Sequence, residues 1–177
     1  MAKRLDIRLY GDPILRKTAK PVEAVDDEIR DLVEDMLVTM YEAEGIGLAA
    51  PQIGRSIRLL VFDTGDRGRD GRGPTALINP EILESSGEWT FDEGCLSLPG
   101  ISAEITRPMT VRVRYLAPDG EQKIEVMDEL AGRVVQHEMD HLDGKLFVDH
   151  LSPMKRSLIL KKLRKLERGE RSEAPAL

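Results

Sequence analysis

The chain has one cysteine, Cys95, and no apolar run approaching the roughly 20 residues that a membrane-spanning helix needs. A single cysteine excludes an intrachain disulfide framework and fits a reducing cytosol. The opening residues, Met1-Ala2-Lys3-Arg4-Leu5-Asp6-Ile7, carry charge with no apolar stretch behind it, so they do not read as a signal peptide. No internal repeat is present, and histidine is confined to His137, His141 and His150. With 177 residues, 41% hydrophobic and 33% charged, the composition is that of one globular domain able to bury a core. The expectation is a cytoplasmic protein, with neither a membrane nor DNA as a partner.

Charge is unevenly spread. From Ser152 to Arg171 there are eight basic residues against two acidic ones, +6, which leaves −12 for the rest of a chain whose net charge is −6. The bland reading is a solvated helix face; the sharper one is contact with an anionic partner.

Apolar residues at helical spacing (Ile29, Leu32, Val33, Met36, Leu37, Met40) predict a first helix over about 26–43, with Gly45 as its stop. Strands are expected at 57–62 and 76–83, the latter interrupted by Asn79-Pro80. A hairpin is expected from 110–116 and 122–126 across Pro118-Asp119-Gly120. The glycine-rich 65–74 segment reads as a mobile loop. A second helix starts near Asp128, and a third spans about 153–168. Residues 169–177 read as a disordered tail. Strands precede the second helix without alternating with helices. That order predicts an α+β domain over 1–168, with antiparallel or mixed strands around a central helix and a C-terminal helix beyond it.

The second helix carries Gln136-His137-Glu138-Met139-Asp140-His141. Positions i and i+4 share a helix face, so His137 and His141 can point at one metal ion, and Glu138 suits a general base on metal-bound water. The reaction class is metal-assisted hydrolysis of an amide-like bond. A third ligand is still needed. One HExxH class places a histidine six residues after the second one; here that position is Phe147. A later glutamate, Glu167 or Glu170, falls in the basic surface helix. His150 reads as solvated or hydrogen-bonded. Cys95 lies in Glu93-Gly94-Cys95-Leu96-Ser97-Leu98-Pro99-Gly100, where Gly94 allows close backbone approach and Pro99-Gly100 suggests a turn. Taken alone, a lone cysteine is usually a small buried hydrophobe. A thiolate beside two imidazoles completes a Cys-His-His site with one position open. Cys95 as nucleophile is the rival, but it leaves the histidine spacing and Glu138 without a purpose.

Three segments together resemble the signature motifs of the peptide deformylases, in order and spacing: Gly45-Ile46-Gly47-Leu48-Ala49-Ala50-Pro51-Gln52-Ile53-Gly54, Glu93-Gly94-Cys95-Leu96-Ser97 and Gln136-His137-Glu138-Met139-Asp140-His141. Asp12-Pro13-Ile14-Leu15-Arg16 and His141-Leu142-Asp143-Gly144 agree as well, so the likeness covers about Leu5 to Arg168.

The resemblance implies a cytosolic enzyme that removes the formyl group from the N-terminal formyl-methionine of new bacterial polypeptides. By the same resemblance, Cys95, His137 and His141 bind a divalent metal with water in the fourth position. That ion is commonly ferrous iron, with zinc, nickel or cobalt as alternatives. Glu138 acts as base and then acid, and Gln52 with the Leu96 backbone N–H holds the oxyanion. Gly45, Ile46 and Gly47 pair with an extended peptide, and Ile46, Phe91, Leu130 and Val134 surround the methionine side chain. Glu93 and Arg107 match a family pair that braces the site.

Departures fall at the entry to the metal helix, where Glu129 replaces a usual glycine and Gly132 a usual alanine. Gly132 is expected to weaken the helix by about 0.8–1 kcal/mol relative to alanine. Ser102 stands where some relatives carry a basic residue. The rival readings are a general HExxH metallopeptidase or amidase, and a non-catalytic metal-containing module that docks on the ribosome through its basic C-terminal helix. Ribosome contact is also compatible with the enzyme reading.

Overall fold

The structure is a computed structural model that describes residues 1–68 and 71–168. In chain order its elements are α1 (Asp27–Glu42), β1 (Gly47–Ala49), β2 (Leu59–Phe62), β3 (Thr75–Ser86), β4 (Trp89–Cys95), β5 (Leu98–Arg107), β6 (Thr110–Leu116), β7 (Gln122–Asp128), α2 (Glu129–Leu142) and α3 (Pro153–Glu167). This is the expected α+β class. Five strands form one antiparallel sheet in the order β1-β2-β3-β6-β7, and β4 pairs with β5 as a separate hairpin. The expected tail at 169–177 lies outside the described residues, as do residues 69 and 70 of the 65–74 loop. No helix among the described residues is long and apolar enough to cross a membrane.

Helix α1 starts where Asp26 accepts a hydrogen bond from the Ile29 N–H at 3.0 Å, with Asp27 and Glu28 in the first turn. Its end corrects the expected stop. Glu44, at φ 59°, occupies the left-handed position, and the Gly45 N–H reaches back to the Met40 carbonyl at 2.9 Å. Gly45 is needed for another reason: a Cβ there would lie 2.7 Å from Leu96 Cδ1. The apolar stripe of α1 packs on β1, β2 and β3.

The Asn79-Pro80 interruption is a bulge within one long strand, since the β3–β6 register shifts between Ile78 and Glu81. Asn79 adopts φ 50° and its amide clamps Val22 through two hydrogen bonds, donating to the carbonyl at 2.9 Å and accepting from the N–H at 2.8 Å. Pro99-Gly100 is not a turn. Both lie inside β5, and the chain reverses at Leu96-Ser97. Gly94 is not a close approach either, because its nearest Cβ neighbour would be the Ile101 carbonyl at an ordinary 3.7 Å.

Helix α2 lies against the sheet and buries most of its length. Val134, Val135, Met139 and Leu142 pack against Leu60, Phe62, Val111, Val113 and Met127. Here the structure overturns the expectation for Gly132. A Cβ at this position would stand 2.7 Å from the Met127 carbonyl oxygen and 3.0 Å from that of Met109. Glycine lets the helix sit directly on strand backbone, so the propensity penalty does not decide its effect. Helix α3 packs through Leu163 against β5 and the 147–150 turn, leaving its lysines in solvent.

Candidate metal centre

Two elements present the site. Helical spacing puts His137 and His141 on one face of α2, with ring centroids 5.2 Å apart. The β4–β5 hairpin brings Cys95 to the same place. The donor atoms of Cys95, His137 and His141 lie within 4.8 Å of one another, with Cys95 Sγ 3.3 Å from His141 Nε2. Sulfur and nitrogen ligands around a tetrahedral zinc sit about 3.5 Å apart, given metal distances of about 2.3 and 2.0–2.1 Å. The separation and the donor chemistry therefore suit a divalent ion. Phe147, at the position of the missing third histidine, stacks on His137 with centroids 6.1 Å apart.

The second nitrogen of His137 is held in place: Nδ1 meets Glu93 Oε1 at 2.8 Å. This orients the ring with Nε2 toward the site. Glu93 also accepts from Arg107 Nε (2.7 Å), from Arg107 Nη2 (3.0 Å) and from Arg133. Arg107 in turn donates to Asp140 at 2.9 Å, and Asp140 meets His150 Nε2 at 2.7 Å. His150 is thus hydrogen-bonded, as expected, at the end of a helical turn.

Buried charge sets the site's titration. Burial alone would raise the Glu93 pKa, but hydrogen bonds from His137 and Arg107 outweigh it and hold the carboxyl ionised well below its usual range. Burial pulls the His137 pKa down, while the Cys95 and Glu93 hydrogen bonds push it well above its ordinary value. His141 is driven well below its ordinary value by burial and by the neighbouring His137. Glu138 is raised to about 7, first by burial and further by Glu93. Among the described residues its Oε2 is buried with no hydrogen-bond partner, and so is His141 Nδ1. An unpaired, poised carboxylate beside a metal-ligand set is equipped to exchange a proton with a substrate or water.

Gln52 is buried beside these groups. Its Oε1 accepts from the Ala49 N–H at 2.9 Å, and its Nε2 faces Ser97 Oγ at 3.1 Å and Cys95 Sγ at 3.6 Å. Leu96 forms the hairpin turn and packs its side chain over Gly45. Gly47 backs directly on Glu138, since a Cβ there would sit 2.6 Å from Oε1. Val134 belongs to the core cluster around α2, and Ile46 and Leu130 pack against that cluster. Phe91 is 41% exposed, beside Trp89 and against the Arg133 guanidinium.

The model of the polypeptide deformylase family matches residues 4–157. The chain belongs to that family. A peptide deformylase from Alkalilimnicola ehrlichii is 51% identical over 167 residues, covering 94% of this chain and 93% of the relative. One from Thermotoga petrophila is 50% identical over 163 residues, covering 92% and 96%. Among solved structures, the Legionella pneumophila peptide deformylase superposes with a TM-score of 0.83 at 44% identity, covering 93% of this chain and 95% of that one. The Synechococcus elongatus peptide deformylase, solved with actinonin, gives 0.81 at 42% identity, covering 90% and 86%. The chain is accordingly a deformylase, a hydrolase acting on the formyl group of nascent polypeptides, and it carries a possible metal site.

Sequence reasoning missed Arg133, Asp140 and Ser97 as parts of this centre. Arg133 has the clearest signal in hindsight: an arginine on the apolar side of a helix must find an anion or carbonyls to be buried at all.

Proposed function

We propose that this deformylase removes the formyl group from N-terminal formyl-methionine through a divalent ion, natively ferrous iron, held by Cys95, His137 and His141. The observation that carries the reading is the convergence of those three donor atoms within 4.8 Å, on the helix where Glu138 Oε2 has no hydrogen-bond partner among the described residues. A divalent ion bound there supplies water acidified to near neutral pH and polarises the formyl carbonyl. Glu138 takes the nucleophile's proton and passes it to the leaving amine. In the metal-free protein burial raises its pKa to about 7, and a divalent ion beside it would draw that value back toward the ordinary carboxylate range, leaving a carboxylate ready to accept the proton. The Gln52 amide and the Leu96 backbone N–H donate to the developing oxyanion. Zinc, nickel and cobalt fit the same ligand set.

Peptide binding is supported by the edge position of β1 in its sheet. Ile46 gives its carbonyl to the Asp63 N–H, so the backbone groups of Gly47 face the open side, where an extended peptide can add as a strand. Val134, the Ile46 and Leu130 side chains packed against the same core cluster, and the exposed Phe91 ring supply the apolar surface for an unbranched thioether side chain. The exposed lysines 155, 161, 162 and 165 of α3 support docking on ribosomal RNA in the cytoplasm. Charge reversal of these lysines should weaken ribosome co-sedimentation, more at low salt than at high.

The deciding assay compares formyl-Met-Ala, acetyl-Met-Ala and an unblocked peptide. Formyl-Met-Ala should be hydrolysed far faster than the others. Equal turnover of formyl and acetyl groups would overturn the assignment in favour of a general amidase.

A further inference from the structure

Arg133 is 3% exposed on the face of α2 that meets the β4–β5 hairpin. Period-2 alternation puts Trp89, Phe91 and Glu93 on one face of β4, and all three touch this guanidinium. Its carbon lies 5.1 Å from the Trp89 ring centroid and 5.7 Å from that of Phe91. Nη1 donates to Glu93 Oε2 and, at 3.1 Å, to the Ile105 carbonyl; Nη2 donates to the Trp89 carbonyl. The contact matters because of what Glu93 does with its other oxygen, which holds His137 Nδ1.

Charge gives a second argument. Arg107 and Arg133 are the two guanidinium groups that meet Glu93 and Asp140, so loss of Arg133 leaves one guanidinium for two carboxylates. Arg107 alone is shared between both carboxylates. Without Arg133, Oε2 of Glu93 keeps one donor and gains freedom to rotate away from His137.

We propose that Arg133 is a positioning residue for the metal centre: it locks the Glu93 carboxylate that orients His137, while the Trp89 and Phe91 rings lock Arg133 itself. This rests on Cys95, His137 and His141 holding a metal.

The test is zinc release from the intact, zinc-loaded protein to a colorimetric chelator, in a double-mutant cycle. Arg133→Leu and Glu93→Gln should each speed release on the order of tenfold or more. The double variant should release zinc within about twofold of Glu93→Gln alone, because both changes act through one carboxylate. Multiplicative effects would overturn the proposal. Arg133→Lys separates positioning from folding. Its ammonium should choose the carboxylate over the two carbonyls, restoring zinc retention to within about threefold of wild type while the urea midpoint stays lowered. Zinc retention that falls in step with the urea midpoint across Arg133→Leu and Arg133→Lys would overturn it. A wild-type chain that binds no zinc overturns the metal-site reading and this inference together. Tight binding with multiplicative effects overturns this inference alone.

Discussion

Replacing Glu138 by glutamine should make the metal-free protein more stable at alkaline pH while removing its activity. Glu138 is fully buried and its pKa rises from 4.5 to about 7 in the fold. Between those values the folded state keeps a proton that the unfolded state has released, so stability falls as pH rises through the window. At about 1.36 kcal/mol per pH unit, the ionised carboxylate costs the metal-free fold about 3 kcal/mol at pH 8 and almost nothing at pH 4.5. Glutamine has nearly the same shape and no charge. Glu138→Gln should therefore exceed wild type by about 3 kcal/mol at pH 8, shrinking to near zero at pH 4.5. Urea unfolding of metal-free protein at the two pH values measures it. A stability difference independent of pH, or a variant less stable at pH 8, would refute the reasoning. In the metal-loaded variant, formyl-Met-Ala hydrolysis should drop on the order of 10²–10⁴-fold while metal content is kept.

Gly132→Ala should destabilise by about 1–3 kcal/mol in urea unfolding, against helix propensity, because the added methyl group meets the carbonyls of Met127 and Met109. Glu129 holds φ 48°, a left-handed conformation. Glu129→Gly should therefore be more stable than Glu129→Ala by about 1 kcal/mol, the reverse of their order inside a helix; the difference between the two variants isolates backbone strain. Gly47→Ala should push Glu138 from its place and lower kcat on the order of 10²-fold with the chain still folded, as judged by circular dichroism and steady-state kinetics.

What the sequence made legible follows from period and spacing. The α1 stripe, the β6–β7 hairpin and the two histidines one turn apart each carry a local pattern that survives folding. The β4–β5 hairpin does not. Most of β4 is exposed and Glu93 interrupts the alternation of Trp89, Phe91 and Cys95, while Pro99-Gly100 imitates a turn inside a strand. The pairing of Cys95 with the helix is long-range, so no local pattern marks it; elimination of Phe147, His150 and the late glutamates pointed to it, and the family likeness agreed. Glycines were misread for the same reason: the roles of Gly45 and Gly132 are set by Leu96, Met109 and Met127, which only the fold brings near. Arg133 and Asp140 gain meaning from buried carboxylate and guanidinium partners 40 and 33 residues away in sequence. The 44-residue separation joining His137 to Glu93 is of the same kind.

The most direct measurement is metal restoration under anaerobic conditions: strip the protein with a chelator, titrate ferrous iron or zinc back, and follow formate released from formyl-Met-Ala. Activity should vanish on stripping and return to a plateau at one ion per chain, and Cys95→Ala should abolish the return. Full activity in the stripped protein, or restoration in Cys95→Ala equal to wild type, would contradict a Cys-His-His deformylase centre.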